Sequence, residues 1–468
     1  MTQSVAVIGG GISGLAVAVA VAVANVDSNV VVYDGRDRVG GLIATSRFAG
    51  VDHIDEGADA FLARVPEAVT LAHEVGLGDH LVSPEPVGAA VWHDGLHPIP
   101  EGLLLGVPGR LGPLARTNLL SWRGKARASL EPFLPPTSTA PDSIGAFVRA
   151  RFGDEVHERL VDSLVGSIYA ADTDNFSLAE VPQLAALASA NRSVLLSARH
   201  QRAAQGTATA ATSPIFATPR GGMAALVRAT ADALIAAGGT IRTSTPVSKI
   251  EPTGNGRWSL HTPVNQSDAF DAVVVATPAV AAGQLLDAAA PEAATLLARA
   301  ETADVIMVTL HIGADQWPER LRGMSGYLVP KPDQHWVTAA SFGSQKWAHW
   351  RPPSGGEILR VSLGRDGMPV MHLDDDEVLS VVLTDLERHL GIALAPLETR
   401  ITRWPGAFAQ YRPHHPAWVA AVDAALPPGI AVTGAGYRGI GIPACVRSGS
   451  LIAGRVSEHL SNLEESQP

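Results

Sequence analysis

The sequence predicts an α/β protein, α+β overall, built around a parallel sheet of the nucleotide-binding kind. Three observations predict it. Residues 5–8 are apolar and run into Gly9, Gly10, Gly11, Ile12, Ser13 and Gly14. A second apolar run, residues 30–33, ends on Asp34, twenty positions past Gly14. Near the other end, apolar residues 430–432 lead into Gly434 and Gly436. Strand, glycine turn, helix, strand and acid form a Rossmann-like unit in which each glycine has its own task. Gly9 permits the tight turn, Gly11 lets a pyrophosphate approach the backbone, and Gly14 lets the helix lie close to the sheet. Free amides at the helix start then receive phosphate, and Asp34 receives ribose hydroxyls.

Residues 15–24 are apolar throughout, which raises a signal sequence or a membrane span as other readings. The run is about half a bilayer long and no basic segment precedes it, so a buried helix of the sheet explains it better. The chain has 468 residues, 46% of them hydrophobic and 17% charged, enough for two or three domains with large cores. A net charge of −11 argues against nucleic acid as a partner. The single cysteine excludes an internal disulfide and fits a reducing compartment, and with no membrane-length apolar run the expected location is the cytoplasm.

After Asp34, Arg38 followed by Gly40 and Gly41 reads as a second phosphate site of backbone and cation. Residues 53–61 give a further small-residue loop containing Gly57, Ala58, Asp59 and Ala60. With these elements the sequence resembles the flavin-dependent amine oxidase and porphyrinogen oxidase superfamily. Later motifs narrow the resemblance to bacterial coproporphyrinogen/protoporphyrinogen oxidases. They are PIPEGLLLGVPGRLGPL from Pro98, LVGSIYAAD from Leu164, FATPRGGM from Phe216 and GIGIPACV from Gly439. In the last of these, a proline at the helix start and the glycines ahead of it aim amides at one point.

The resemblance implies FAD as cofactor, oxidation of a porphyrinogen by successive hydride transfers, oxygen as acceptor and hydrogen peroxide as product. It implies FAD contacts from Gly9, Gly10, Gly11, Ile12, Ser13, Gly14, Asp34, Arg38, Gly40, Gly41, Gly57, Ala58, Asp59, Ala60, Val247, Trp404, Gly436, Ile440, Gly441 and Ile442. It places Gly166, Ile168 and Tyr169 beside the substrate. Asp34 stands where the family more often has glutamate, and Gly35-Arg36 replaces its small pair, which puts the adenosine contacts in question. The implied domains are a discontinuous FAD-binding domain (1–63, 214–290 and 424–468), a mixed-sheet substrate domain (64–103 and 291–423) and a helical domain (104–213). Coproporphyrinogen III, with four propionates, is preferred over protoporphyrinogen IX, with two, because of the basic stretch described next. A flavin amine oxidase and a non-catalytic flavoprotein are the remoter readings. Contact with the next haem-pathway enzyme is left open.

The other segments read more plainly. Residues 66–81 form an amphipathic helix, with His73 and His80 on its surface, and residues 87–100 a hairpin turning at Asp94-Gly95. Residues 103–133 carry Arg110, Arg116, Arg123, Lys125 and Arg127 against one acid, Glu131. A solvated helix face, a peripheral membrane surface and substrate steering all fit. Residues 142–171 read as two helices, 203–213 as a loop, 232–239 as the end of a helix and 240–250 as a strand pair. Residues 271–278 read as a buried strand, and 291–350 as strands of a second sheet. Asp374, Asp375 and Asp376 suit a helix start better than a metal, and His414 and His415 a loop without zinc. No metal ligand set and no catalytic acid, base or nucleophile stands out, which suits hydride transfer governed by positioning.

Overall fold

The computed structural model describes residues 3–25, 27–135, 142–189, 193–207, 214–263 and 269–465. Two sheets dominate it. The first has five parallel strands in the order Thr240–Arg242, Asn29–Tyr33, Ser4–Ile8, Ala272–Val275 and Ile430–Val432. All of Ser4–Ile8 is buried, which explains why these strands are apolar runs without alternation. The helix Ile12–Ala24 covers one face and packs against the last helix, Ile442–Glu465. Gly449 makes that approach possible, since a Cβ there would lie 2.9 Å from the Ala16 Cβ.

The second sheet is mixed, with seven strands in the order Glu398–Ala409, Thr302–Ile312, Glu357–Leu363, Val337–Phe342, Met324–Leu328, Gly88–Trp92 and Leu96–Pro98. All neighbours are antiparallel except Met324–Leu328 with Gly88–Trp92. One face is closed by the helix Asp375–Leu390 around Val308, Leu310, Val361, Val378 and Leu386. Asp374 caps that helix through the amide of Glu377, and the Glu377 carboxylate answers the Asp374 amide, so the acidic triplet is a capping box.

A helical core of Phe147, Val148, Leu160, Val161, Leu184 and their neighbours lies between residues 103 and 198. Several expectations change here. The amphipathic helix stops at Glu74, and residues 78–80 form a separate short turn. The second of the two expected helices is a wide π-helical winding over His157–Gly166 between short α-turns. The expected loop of residues 203–213 begins as helix, Val194–Thr207; residues 208–213 lie outside the described residues. The expected strand pair at 240–250 does not pair with itself. Thr240–Arg242 joins the parallel sheet, while Lys249–Pro252 pairs with Trp258–His261. His415 is not in a loop: it opens the helix His415–Ala424, buried against Tyr411.

Candidate active site

A cavity of about 1250 Å³ lies where the carboxyl ends of the parallel strands meet the open face of the mixed sheet. That is where an α/β sheet binds its ligand. The first strand enters it through Gly9, whose φ of +110° disfavours a side chain and where an added Cβ would lie 2.7 Å from the Ala276 carbonyl oxygen. Gly14 is closer still: an added Cβ would lie 2.0 Å from the Gly9 oxygen. Gly11 differs from both, having nothing within 4 Å of an added Cβ. Its backbone faces open cavity.

Asp34, at the end of the second strand, is 9% exposed. Its carboxylate accepts the Gly10 amide at 2.8 Å and the Arg36 amide at 2.9 Å, fastening the glycine turn with one pair of lone pairs left. Gly40 donates its amide to the Gly10 carbonyl at 2.8 Å, so the two glycine elements form one cradle. Arg38 does not reach the cavity. Its guanidinium is held by the carbonyls of Ile43 at 3.0 Å and Gly41 at 3.2 Å, and Arg36 lines the wall in its stead.

From the middle of the chain, Gly57, Ala58, Asp59 and Ala60 line the cavity, as do Val247 and Trp404. Trp404 donates its ring N–H to the Glu56 carbonyl at 3.1 Å. From the far end come Gly436, Ile440, Gly441 and Ile442, the last opening a 24-residue helix whose amides point toward the cavity. Ile12, Ser13, Gly40 and Gly41 line the wall, whereas Gly10 and Gly14 pack behind it. Of the substrate-side residues, Gly166 and Ile168 line the cavity. Tyr169 does not: its ring packs tilted against Phe176, with centroids 4.9 Å apart, in the helical core. Gly166 is small because Arg365 and the Ala171 carbonyl would each lie 2.9 Å from a Cβ. Arg365 in turn grips Asp162 of the π-helix through two bonds of 2.9 and 3.0 Å, both side chains buried.

The lining includes residues the sequence did not announce, among them Thr277, Ser341, Lys346, Arg360 and Arg365. Arg360 and Ser362 stand at alternate positions of Glu357–Leu363, so a strand-period reading of EILRVSL would have put them on one face. Burial alone would raise the Asp59 pKa, yet Lys346 at 2.9 Å and Arg360 at 3.6 Å hold it well below the usual carboxylate range. Burial lowers the His415 pKa to about 4 and raises that of the Cys445 thiol, so the wall presents a neutral imidazole and a neutral thiol.

The profile of the flavin containing amine oxidoreductase family matches residues 12–457. The chain belongs to that family. It is an FAD-dependent oxidoreductase, and the cavity suits the cofactor on its own terms. Gly11 and Gly434 both face open space, and the buried Thr277 hydroxyl has no partner among the described residues. Among relatives, the coproporphyrinogen III oxidase of Bacillus subtilis (strain 168) is 32% identical over 96% of each chain. The chloroplastic protoporphyrinogen oxidase 1 of Spinacia oleracea is 28% identical, over 98% of this chain and 85% of that one. A crystal structure from Exiguobacterium sp. 255-15 superposes with a TM-score of 0.85 at 29% identity, covering 98% of this chain and 99% of that one. Among the described residues no helix is long and apolar enough to cross a membrane.

Proposed function

We propose that this enzyme oxidises coproporphyrinogen III to coproporphyrin III, with oxygen as final acceptor and hydrogen peroxide released. FAD supplies the hydride acceptor. The observation that carries the reading is a large cavity walled by the cradle glycines on one side and by the mixed sheet with Gly166, Ser167, Ile168 and Ala170 on the other. Its volume of about 1250 Å³ exceeds the roughly 300–1,000 Å³ of an ordinary ligand pocket, as a site for two flat ring systems would, and the family's porphyrinogen oxidases match over nearly the whole chain.

In this reading Gly11, Gly41 and Gly436 take the pyrophosphate, Asp34 and Val247 the adenosine, and Trp404 with Ile440, Gly441 and Ile442 the flavin ring. The amides opening Ile442–Glu465 stabilise negative charge that develops near them. Ile168, 53% exposed, and Phe408 offer apolar contact to the macrocycle. Tyr437, the aromatic residue before the last glycines, lies away from the cavity, stacked on Trp418 at 6.0 Å. Protoporphyrinogen IX is the second reading, favoured by the name of the spinach relative. Porphyrin fluorescence from the flavin-loaded protein, given each porphyrinogen with autoxidation subtracted, separates them. Faster turnover of the four-propionate substrate is expected; preference for the two-propionate one reverses the choice.

Peripheral membrane contact belongs to the same proposal. Trp122, Leu130 and Phe133 are 74%, 54% and 84% exposed on the basic stretch, and Arg123 sits 5.3 Å above the Trp122 ring. Aromatic and cationic groups together suit an anionic lipid surface. Sedimentation with anionic and with neutral vesicles tests it: capture by the anionic ones alone is expected, and its loss in Trp122→Ala/Phe133→Ala.

A further inference from the structure

We infer that Lys346 and Arg360 form the receiving site for one carboxylate of the substrate, an inference that rests on the porphyrinogen reading. The starting point is a charge imbalance inside the cavity wall. Arg365 is neutralised by Asp162, and Arg412 by Asp366 and Glu301. Around Asp59, by contrast, two cations share one charged carboxylate: Lys346 at 2.9 Å and Arg360 at 3.6 Å, while Asp55, the other carboxylate that Arg360 acts on, holds its proton up to about pH 7. Arg360 is 5% exposed. An excess positive charge in such a largely buried setting is unfavourable unless an anion completes it.

The donors tell the same story. Lys346 gives one hydrogen bond to Asp59 and rests its ammonium over the Trp347 and Phe216 rings, at 5.2 and 5.8 Å. Its other two N–H groups have no acceptor among the described residues. Arg360 spends one nitrogen on the Gly57 carbonyl, and its Nε has no partner. Ser341 pairs across the sheet with Arg360 on the cavity face, adding a further hydroxyl without a partner among the described residues. Spare charge and spare donors on the mixed-sheet wall match a carboxylate in geometry and sign. The remaining cationic lining residues, Arg36 and Arg299, stand on segments that hold Asp34 and pack with Val247, at the nucleotide end.

The test uses flavin-loaded wild type, Lys346→Met and Lys346→Arg, titrated with coproporphyrin III and with its tetramethyl ester while porphyrin absorbance is followed. Loss of one charge-assisted contact predicts roughly tenfold weaker binding of the acid by K346M, recovery to within about threefold by K346R, and no difference for the ester. The same split is expected in KM for the porphyrinogens of the acid and of the ester, with kcat little changed. Should K346M not fold, Ser341→Asp cancels the excess charge beside Arg360 and is expected to weaken the acid to a similar degree. Equal affinity of wild type and both variants for the acid, or an equal loss for acid and ester, overturns the assignment while wild-type turnover leaves the enzyme's proposed activity standing. If the flavin spectrum or potential moves and porphyrin affinity does not, the pair serves the cofactor and the inference is wrong. Wild type that neither binds nor oxidises the porphyrin series overturns both readings.

Discussion

Gly9 and Gly11 are two positions apart and read alike in the sequence, yet their surroundings predict opposite failures. Alanine at Gly9 would meet the Ala276 carbonyl at 2.7 Å with φ at +110°, so Gly9→Ala is expected to lower apoprotein stability by about 2–3 kcal/mol. Alanine at Gly11 meets nothing within 4 Å. Gly11→Ala should leave apoprotein melting within a few degrees of wild type but weaken FAD retention at least tenfold, measured by fluorescence of released flavin. Asp55 supplies a pH prediction. Burial raises its pKa from 3.8 to about 7, against hydrogen bonds from Thr45 and the Met223 amide. The folded protein therefore holds this proton up to about pH 7, while the unfolded chain loses it near pH 4. Stability falls as pH rises between those values and stays reduced above, by up to about 4 kcal/mol for this group. Asp55→Asn is expected to flatten that slope, seen as a difference in melting temperature that grows in its favour from pH 4 to pH 8. The close-packed places of Gly9 and Gly14 were legible because each is a backbone requirement with a fixed spacing. That Arg36 and not Arg38 lines the cavity was not, because it depends on which carbonyls the loop turns inward.

At the scale of elements, the basic stretch shows what charge patterning hides. Its one acid, Glu131, is fully buried, paired with Arg151 and accepting from Ser193 Oγ at 2.6 Å and the Val194 amide at 2.7 Å. Arg127, one of five cations in the stretch, donates to the Ala150 and Arg151 carbonyls, closing the end of Ile144–Phe152. Removing one partner of a buried pair strands the other, so Glu131→Ala should cost about 3–5 kcal/mol in denaturant unfolding. A double replacement of Glu131 and Arg151 by apolar residues should cost less than Glu131→Ala alone. Helices and buried strands with strong local patterns were readable, including the helix start at the acidic triplet of residues 374–376. The π-helical winding was not, since HERLVDSLVG has ordinary helical periodicity and its Asp162 is held by Arg365, about two hundred residues away. The false strand pair at 240–250 has the same origin: partner choice is tertiary.

Over the whole molecule, the two chain ends act as one unit. Gly449→Leu would wedge Ile442–Glu465 away from Ile12–Ala24, where even an added Cβ lies 2.9 Å from Ala16 and 3.2 Å from the Ser13 oxygen. Overpacking there should cost about 1–3 kcal/mol and also loosen FAD, because both helices open into the cavity; calorimetry and flavin release should change together. The pairing of glycine turns at the two ends was legible, since two such turns are hard to explain without one shared ligand. The polar wall opposite them was not, since it is assembled from strands whose alternation alone does not say which face looks inward.

The strand order carries a consequence for how the protein is made. Ser4–Ile8 leaves the ribosome well before one neighbour, Ala272–Val275, which is synthesised some 270 residues later, and the edge strand Ile430–Val432 comes later still. Pairings so far apart in sequence close slowly. At translation speeds of about 5–20 residues per second the opening strand waits tens of seconds for its partner. The nucleotide cradle therefore waits for strands written hundreds of residues after its first glycines, and FAD can be captured only once those strands have joined it.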